Sequence, residues 1–170
     1  KAHINIVEGM LNLGLYKDAI KLSNKIPDIP NYRLYAHSTI IKNLAANGRL
    51  DLARKLIQSN VSDRYSRSLA YIEIAKHSKN ITDFNMAKML ADKIPDADFR
   101  ELSNIRIVEG LTEVGHFELA KEFARKFDDV LGMREAYAGI ARVLAEKGYV
   151  DRAIKLSKEL DEPSRLVILD

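Results

Sequence analysis

The histidines are the side chains of this sequence best suited to bind a metal, and the four of them are scattered: His3, His37, His77 and His116. Because His3 and His37 stand 34 residues apart, they are expected to stack one repeat apart. A metal needs further ligands within bonding reach. The equivalent positions of the fourth and fifth repeats hold Asn104 and Tyr137, and the chain has no cysteine. We therefore predict no metal site and no cofactor.

Carboxylate pairs that could serve general acid–base chemistry occur at Glu118 with Glu122 and at Asp128 with Asp129. The first pair lies four residues apart on one predicted helix face, beside the basic residues Lys121, Arg125 and Lys126. A solvated, charge-balanced face accounts for this pattern better than a catalytic pair. The sequence contains no glycine-rich phosphate loop followed by Lys-Ser or Lys-Thr, and no His-Glu-x-x-His motif. The chain is predicted not to be an enzyme.

Arginines recur where helices are predicted to begin, at Arg33, Arg67, Arg100 and Arg134. A cation at a helix N-terminus is unfavourable by about 0.3–1 kcal/mol, so the repetition needs a reason. One reading is a ridge that binds phosphates. The reading we favour pairs each arginine with a preceding acid, which would fix the loop between repeats; the acids are Asp28, Asp63, Asp96 or Asp98, and Asp128 or Asp129.

The elements that position these side chains repeat every 33 or 34 residues. Five alanines mark the period, and four of them follow a glycine by five residues: Ala19, Ala53, Ala87, Ala120 and Ala153, with Gly14, Gly48, Gly115 and Gly148. Apolar residues at helical spacing flank each glycine, which predicts two helices per repeat with the glycine ending the first. Two further glycines, Gly9 and Gly110, are expected at close contacts between helices.

This pattern predicts an all-α fold, a right-handed α-solenoid of five antiparallel helical hairpins plus a short C-terminal helix, as one domain over residues 1–170. The approximate repeats are 1–31, 32–65, 66–98, 99–132 and 133–162. First helices are predicted over 2–13, 33–46, 66–78, 100–113 and 134–146. Second helices are predicted from Tyr16 onward and over 50–59, 83–94, 117–127 and 150–160.

Repeat three departs from the pattern because Thr82 replaces the glycine. Either a longer loop over 78–83, capped by Thr82 or Asp83, or a bend in the superhelix would explain the change. We favour the longer loop.

The pattern Gly-x-aromatic-x-x-Ala, carried best by 14–19 and 115–120, resembles the tetratricopeptide superfamily of helical hairpins. The first-helix segments 6–10 and 107–111 are also similar to those of pentatricopeptide repeats. The tetratricopeptide resemblance implies that peptides or proteins bind in a concave groove lined by first helices. The pentatricopeptide resemblance implies single-stranded RNA, read one base per repeat.

If the hairpins stack as in that superfamily, two rows of residues line the groove. One row is mixed in charge and basic at its centre: Glu8, Lys42, Lys76, Glu109 and Arg142. The other is mostly apolar: Ile4, Ser38, Ile72, Ile105 and Ala138. Such a groove suits an amphipathic or extended peptide, so we expect a protein-binding scaffold. The residues expected to contact the partner are Tyr35, Ser38, Lys42, Ile72, Lys76, Ile105, Glu109 and Arg142.

Single-stranded RNA is the alternative partner. Residues 31–93 carry a net charge of +6, whereas residues 94–170 carry −4. Asn5 and Thr39 are small polar residues at the position where pentatricopeptide repeats read bases. The same position continues as Glu73, Arg106 and Gly139, which breaks the code after two repeats.

The composition, with 46% hydrophobic and 30% charged residues, is that of a soluble protein, and we expect a cytoplasmic location without membrane association.

The apolar run at 166–169 follows a proline, as a sixth first helix would. We therefore expect 163–170 to be helical and to pack against 150–160. One end of the array is expected to be covered by another copy, a further domain or a neighbouring molecule.

Overall fold

The computed structural model describes residues 2–27, 32–127 and 129–161, with only the backbone for residues 2 and 159–161. Over these ranges the chain forms ten helices and no strand, which confirms the predicted all-α class. The helices are α1 (Ala2–Asn12), α2 (Tyr16–Ser23), α3 (Tyr32–Ala46), α4 (Leu50–Asn60), α5 (Arg64–Ser78), α6 (Ile81–Ala91), α7 (Ala97–Glu113), α8 (Phe117–Ala124), α9 (Val130–Glu146) and α10 (Val150–Asp161). The expected helix over 163–170 lies outside the described residues.

The chain divides into two compact units, Lys1–Lys93 and Ile94–Asp170. In unit 1, α1, α3 and α5 pack successively against one another, and each also packs against the helix that follows it. In unit 2, α7 packs against α9, and these two helices pack against α8 and α10 respectively. The single array of five hairpins through both units remains a prediction.

The glycines that follow the first helices have the backbone conformation that the sequence predicts. Gly14, Gly48, Gly115 and Gly148 have φ between 71° and 93°, where a side chain would be strained. The residue after each glycine donates its N–H to a carbonyl five residues earlier, as Leu15 does to Met10 at 2.8 Å. This bond closes the helix end in a Schellman motif, and the second helix starts at the next residue.

The turn of repeat three is shorter than expected, and the predicted longer loop is wrong. Lys79 takes the left-handed conformation (φ 54°), and Asn80 caps α6 by accepting the Thr82 N–H at 2.9 Å. The helix therefore begins at Ile81 rather than near residue 83. Asn80 is a strong N-cap residue, so it starts the helix before Thr82 or Asp83 can.

Aspartates start three of the first helices. The carboxylates of Asp63, Asp96 and Asp129 each accept the backbone N–H of the residue three positions later, at 2.7–3.1 Å. Asp129 thereby starts α9 at Val130, four residues before the predicted start. In place of the predicted pairing with arginines, these three acids cap their helices by satisfying orphan N–H groups. The predicted partners Asp28 and Asp128 lie outside the described residues.

Two of the recurring arginines fix the loops between repeats through backbone carbonyls. Arg33 donates from Nε and Nη2 to the carbonyl of Ile26, at 3.0 and 2.9 Å. Arg100 donates from Nη1 to the equivalent carbonyl of Ile94 at 2.8 Å. Each of these carbonyls lies three residues beyond a helix end, at Ser23 or Ala91, and needs a hydrogen-bond donor from outside the helix. The arginine supplies that donor and stabilises the connection.

The repeating alanines are all buried, with Ala19, Ala53, Ala87 and Ala120 fully inaccessible. Each lies on a second helix where a larger side chain would hold the helices apart.

Gly9 does not act as a close contact, because no atom lies within 4 Å of the place that a Cβ would take there. Close contact occurs at Gly132 and Gly139 of α9, and Gly110 is buried in α7.

Candidate interaction surfaces

The exposed face of α3 carries three of the predicted contact residues. Tyr35 is 54% exposed, and Ser38 and Lys42 are exposed on the same stripe of the helix. The opposite face of α3 enters the core of unit 1 through residues such as Ile40 and Leu44. The 3.6-residue period therefore separates a packing face from a face that is free to bind.

The predicted contact residues of α5 are less available. Ile72 is only 4% exposed, so it belongs to the core of unit 1 and presents no surface to a partner. Lys76 is half-buried, with its Nζ 3.8 Å from Glu73 Oε1 on the same helix. The repeat spacing alone predicts that these residues line a groove. Their burial also depends on the neighbouring helices, which the spacing does not describe.

The predicted contact residues of unit 2 form an ion-pair cluster rather than an open row. Glu109 is 8% exposed and accepts from Arg106 Nη1 at 2.8 Å and from Arg142 Nη2. Arg142, half-exposed, also donates to Glu146 Oε1 at 2.9 Å. These hydrogen bonds raise the pKa of Arg142, with Glu109 the main cause. Ile105 is half-buried on the same helix as Glu109.

The buried carboxylate of Glu109 is possible because α9 has no side chain opposite it. A Cβ on Gly139 would stand 3.1 Å from Glu109 Cγ and 3.2 Å from its Oε1. Two arginines satisfy both oxygens, which offsets the cost of removing the charge from water. Gly139 therefore makes room for a charge cluster that joins α7 to α9.

Spacing did not identify several exposed apolar residues on these helices. Tyr32 on α3 is 40% exposed, one turn from Tyr35. On α7, Phe99 and Leu102 are 50% and 37% exposed and occupy the equivalent positions 67 residues later. Tyr32 and Phe99 are equivalent positions of the repeat, and so are Tyr35 and Leu102. This recurrence of large apolar residues could have identified the exposed positions from the sequence.

The histidines do not converge. His37 is 2% exposed, and its Nε2 lies 3.0 Å from Asn24 Oδ1. His3 is exposed on α1, and His116 has its Nε2 buried. Within 2–27, 32–127 and 129–161, no group of three His, Asp or Glu side chains is placed to hold a metal ion.

Comparisons with protein-family models, with curated proteins and with solved structures find no match for this chain. In the part of the chain that the structure describes, no helix is long and apolar enough to cross a membrane.

Proposed function

We propose that this protein is a non-enzymatic scaffold of the tetratricopeptide-like type, with a solenoid of helical hairpins that binds a peptide segment of a partner protein on its first helices. The observation that carries the proposal is the exposed stripe of α3, on which Tyr32 and Tyr35 are followed by Ser38 and Lys42.

Two large aromatic rings on one exposed helix face support a binding role. Tyr35 and Tyr32 are 54% and 40% exposed. The apolar ring of a tyrosine can pack against a partner while its hydroxyl keeps hydrogen bonds to water or to that partner. Tyrosine is enriched at protein interfaces because it buries much area with little loss of side-chain entropy. Ser38 and Lys42 add hydrogen-bond donors further along the same stripe.

A similar stripe on α7 of unit 2 supports the proposal independently. Phe99 and Leu102 are exposed at the equivalent positions, and Arg106 follows on the same face with its side chain 53% exposed. An apolar pair followed by a cation thus occurs on one first helix of each unit. Extended or helical peptides are bound by such spaced anchors.

Single-stranded RNA is the alternative, and the positive charge of residues 31–93 favours it. The contacts of α5 weaken that alternative, because Lys76 is half-buried and paired with Glu73. Arg106 and Arg142 share the carboxylate of Glu109 in a similar way. Basic side chains that are already paired contribute less to binding a phosphate chain.

A selection from a displayed library of random peptides tests the proposal. We expect the wild-type protein to enrich a common peptide pattern, and Tyr35→Ala with Lys42→Glu to weaken binding of the enriched peptides about tenfold or more. The control replaces the exposed Lys17 and Lys158, which lie on second helices, by glutamate and should leave binding within about twofold.

The RNA alternative has its own test in the same proteins. Salt-dependent binding of a single-stranded RNA, lost in the Lys42→Glu, Lys76→Glu variant, would replace the peptide proposal. We expect no such binding at near-physiological salt.

A further inference from the structure

A cleft of about 280 Å³ lies between α8 and α10 in unit 2, on the side of the second helices. Its floor is apolar, formed by Ile140, Leu144 and Leu156. Phe117 also lines the cleft. The volume is at the lower end for ligand clefts, so it suits side chains of a peptide.

The walls of this cleft carry an excess of positive charge. Lys121, Arg152 and Lys155 line it, together with one carboxylate, Glu118. Lys121 Nζ lies 3.6 Å from Glu118 Oε1, but Glu118 is 83% exposed, so this pair neutralises little. No carboxylate of the described residues makes an ion pair with Arg152 or Lys155.

One equivalent junction of unit 1, between α4 and α6, contains a carboxylate of the chain itself. Arg54 donates to Asp83 from Nε at 3.0 Å and from Nη2 at 2.8 Å. Ser78 also donates to Asp83, whose side chain is 5% exposed. A forked, charge-assisted pair of this kind is among the strongest polar contacts in proteins.

The two junctions differ in the residues that stand at the same distance from the repeat alanines. Lys121 in α8 stands where Arg54 stands in α4. The position of Asp83 is taken by Tyr149, which cannot neutralise a cation. The positions of two methionines in α6 are taken by the cations of α10; Met86 corresponds to Arg152, and Met89 to Lys155. The α8/α10 junction therefore has one cation in the place of Arg54 and two more in the places of methionines, with no carboxylate in the place of Asp83.

We propose that the cleft between α8 and α10 binds an acidic peptide segment, with an Asp or Glu side chain between the three cations and a neighbouring apolar side chain on the floor of Ile140, Leu144 and Leu156. The ligand carboxylate takes the role that Asp83 has in unit 1. This site is separate from the first-helix stripe and does not depend on the function proposed for that stripe.

Arg152 is held ready for such a ligand. Its guanidinium lies over the rings of Phe117 and Tyr149, 5.6 Å from each centroid, and the two rings meet edge to face. These two cation–π contacts restrict where the guanidinium can lie. A preorganised donor loses less entropy when the ligand arrives. The apolar floor favours a peptide over phosphate or RNA, which would leave it uncovered.

Two short peptides of equal shape test the proposal in the full chain. The probe is acetyl-Leu-Glu-Phe-Glu-Leu-amide, and its control has glutamine in place of both glutamates. Backbone amide NMR shifts report the site of binding. We expect the glutamate peptide to shift the signals of 117–121 and 152–156, and to bind about tenfold or more tightly than the glutamine peptide.

Charge reversals on α10 provide the matched variants. Lys155→Glu should weaken binding of the glutamate peptide about tenfold. Lys158→Glu, the same change one turn further along α10 at a residue that does not line the cleft, should leave it within about twofold. Lys42→Glu on α3 should also leave it unchanged, which separates this site from the first-helix stripe.

Three results would overturn the proposal: equal binding of the two peptides, equal effects of the two lysine reversals, or the same shifts produced more readily by inorganic phosphate or an RNA oligonucleotide. Thermal unfolding of each variant shows whether the fold is retained, since both lysines are exposed and their replacement is expected to be tolerated.

Discussion

Glu109 is the buried centre of the ion-pair cluster in unit 2. It is 8% exposed and bound by Arg106 and Arg142, so removing its charge leaves two cations without their shared partner. Glu109→Gln should lower the free energy of unfolding by about 1–2 kcal/mol. Glu146→Gln removes a more exposed partner of Arg142 and should cost less than about 0.5 kcal/mol. Urea unfolding measures both, and equal losses would contradict the buried position of Glu109.

His37 makes the stability of unit 1 depend on pH. Burial, and then the charge of Arg33, lower its pKa from the usual 6.5, so the folded state holds the neutral imidazole. Below the unfolded pKa the unfolded chain takes up a proton that the folded chain resists, and stability falls as the pH is lowered. His37→Gln should therefore lose less stability than the wild type between about pH 8 and about pH 5.

The control for that measurement is His77→Gln, since His77 is exposed. Its pH dependence should follow that of the wild type. A wild-type and a His37→Gln protein with the same loss of stability would show that His37 does not cause the dependence.

At the scale of elements, the turn after each first helix gives the sharpest prediction. Gly48 has φ 71° with open space around it, so only the backbone conformation disfavours a side chain. Gly48→Ala should cost about 1 kcal/mol. Lys79 has φ 54° in the corresponding turn of repeat three, and Lys79→Gly should gain up to about 1 kcal/mol. Chemical denaturation measures the free energy of unfolding of both variants. Two effects of the same sign would contradict the conclusion that the left-handed backbone conformation at residues 48 and 79 favours glycine.

Helix ends show what the sequence could and could not predict. The glycine turns were predictable because few residues adopt a positive φ. The starts of α6 and α9 were not placed correctly, since Asn80 and Asp129 compete with neighbouring polar residues as caps, and local hydrogen bonding decides between them. The 33-residue spacing of Asp63, Asp96 and Asp129 carried the signal.

At the scale of the whole molecule, the all-α class followed from the repeat, but the surface did not follow from it completely. Tyr35, Ser38 and Lys42 are exposed as a groove requires, because α3 turns only one face to the core. Ile72 and Glu109 have the same spacing but are covered by neighbouring side chains. Periodicity specifies the face of a helix, whereas the packing of adjacent helices determines how much of that face stays open.

The most direct test of the proposed scaffold is to find where a selected peptide contacts the protein. Hydrogen exchange with and without the peptide that the library enriches gives this at the level of segments. We expect slower exchange in α3, around 32–42, and a loss of that protection in Tyr35→Ala with Lys42→Glu. Protection confined to the second helices, with α3 unchanged, would contradict peptide binding on the first-helix face.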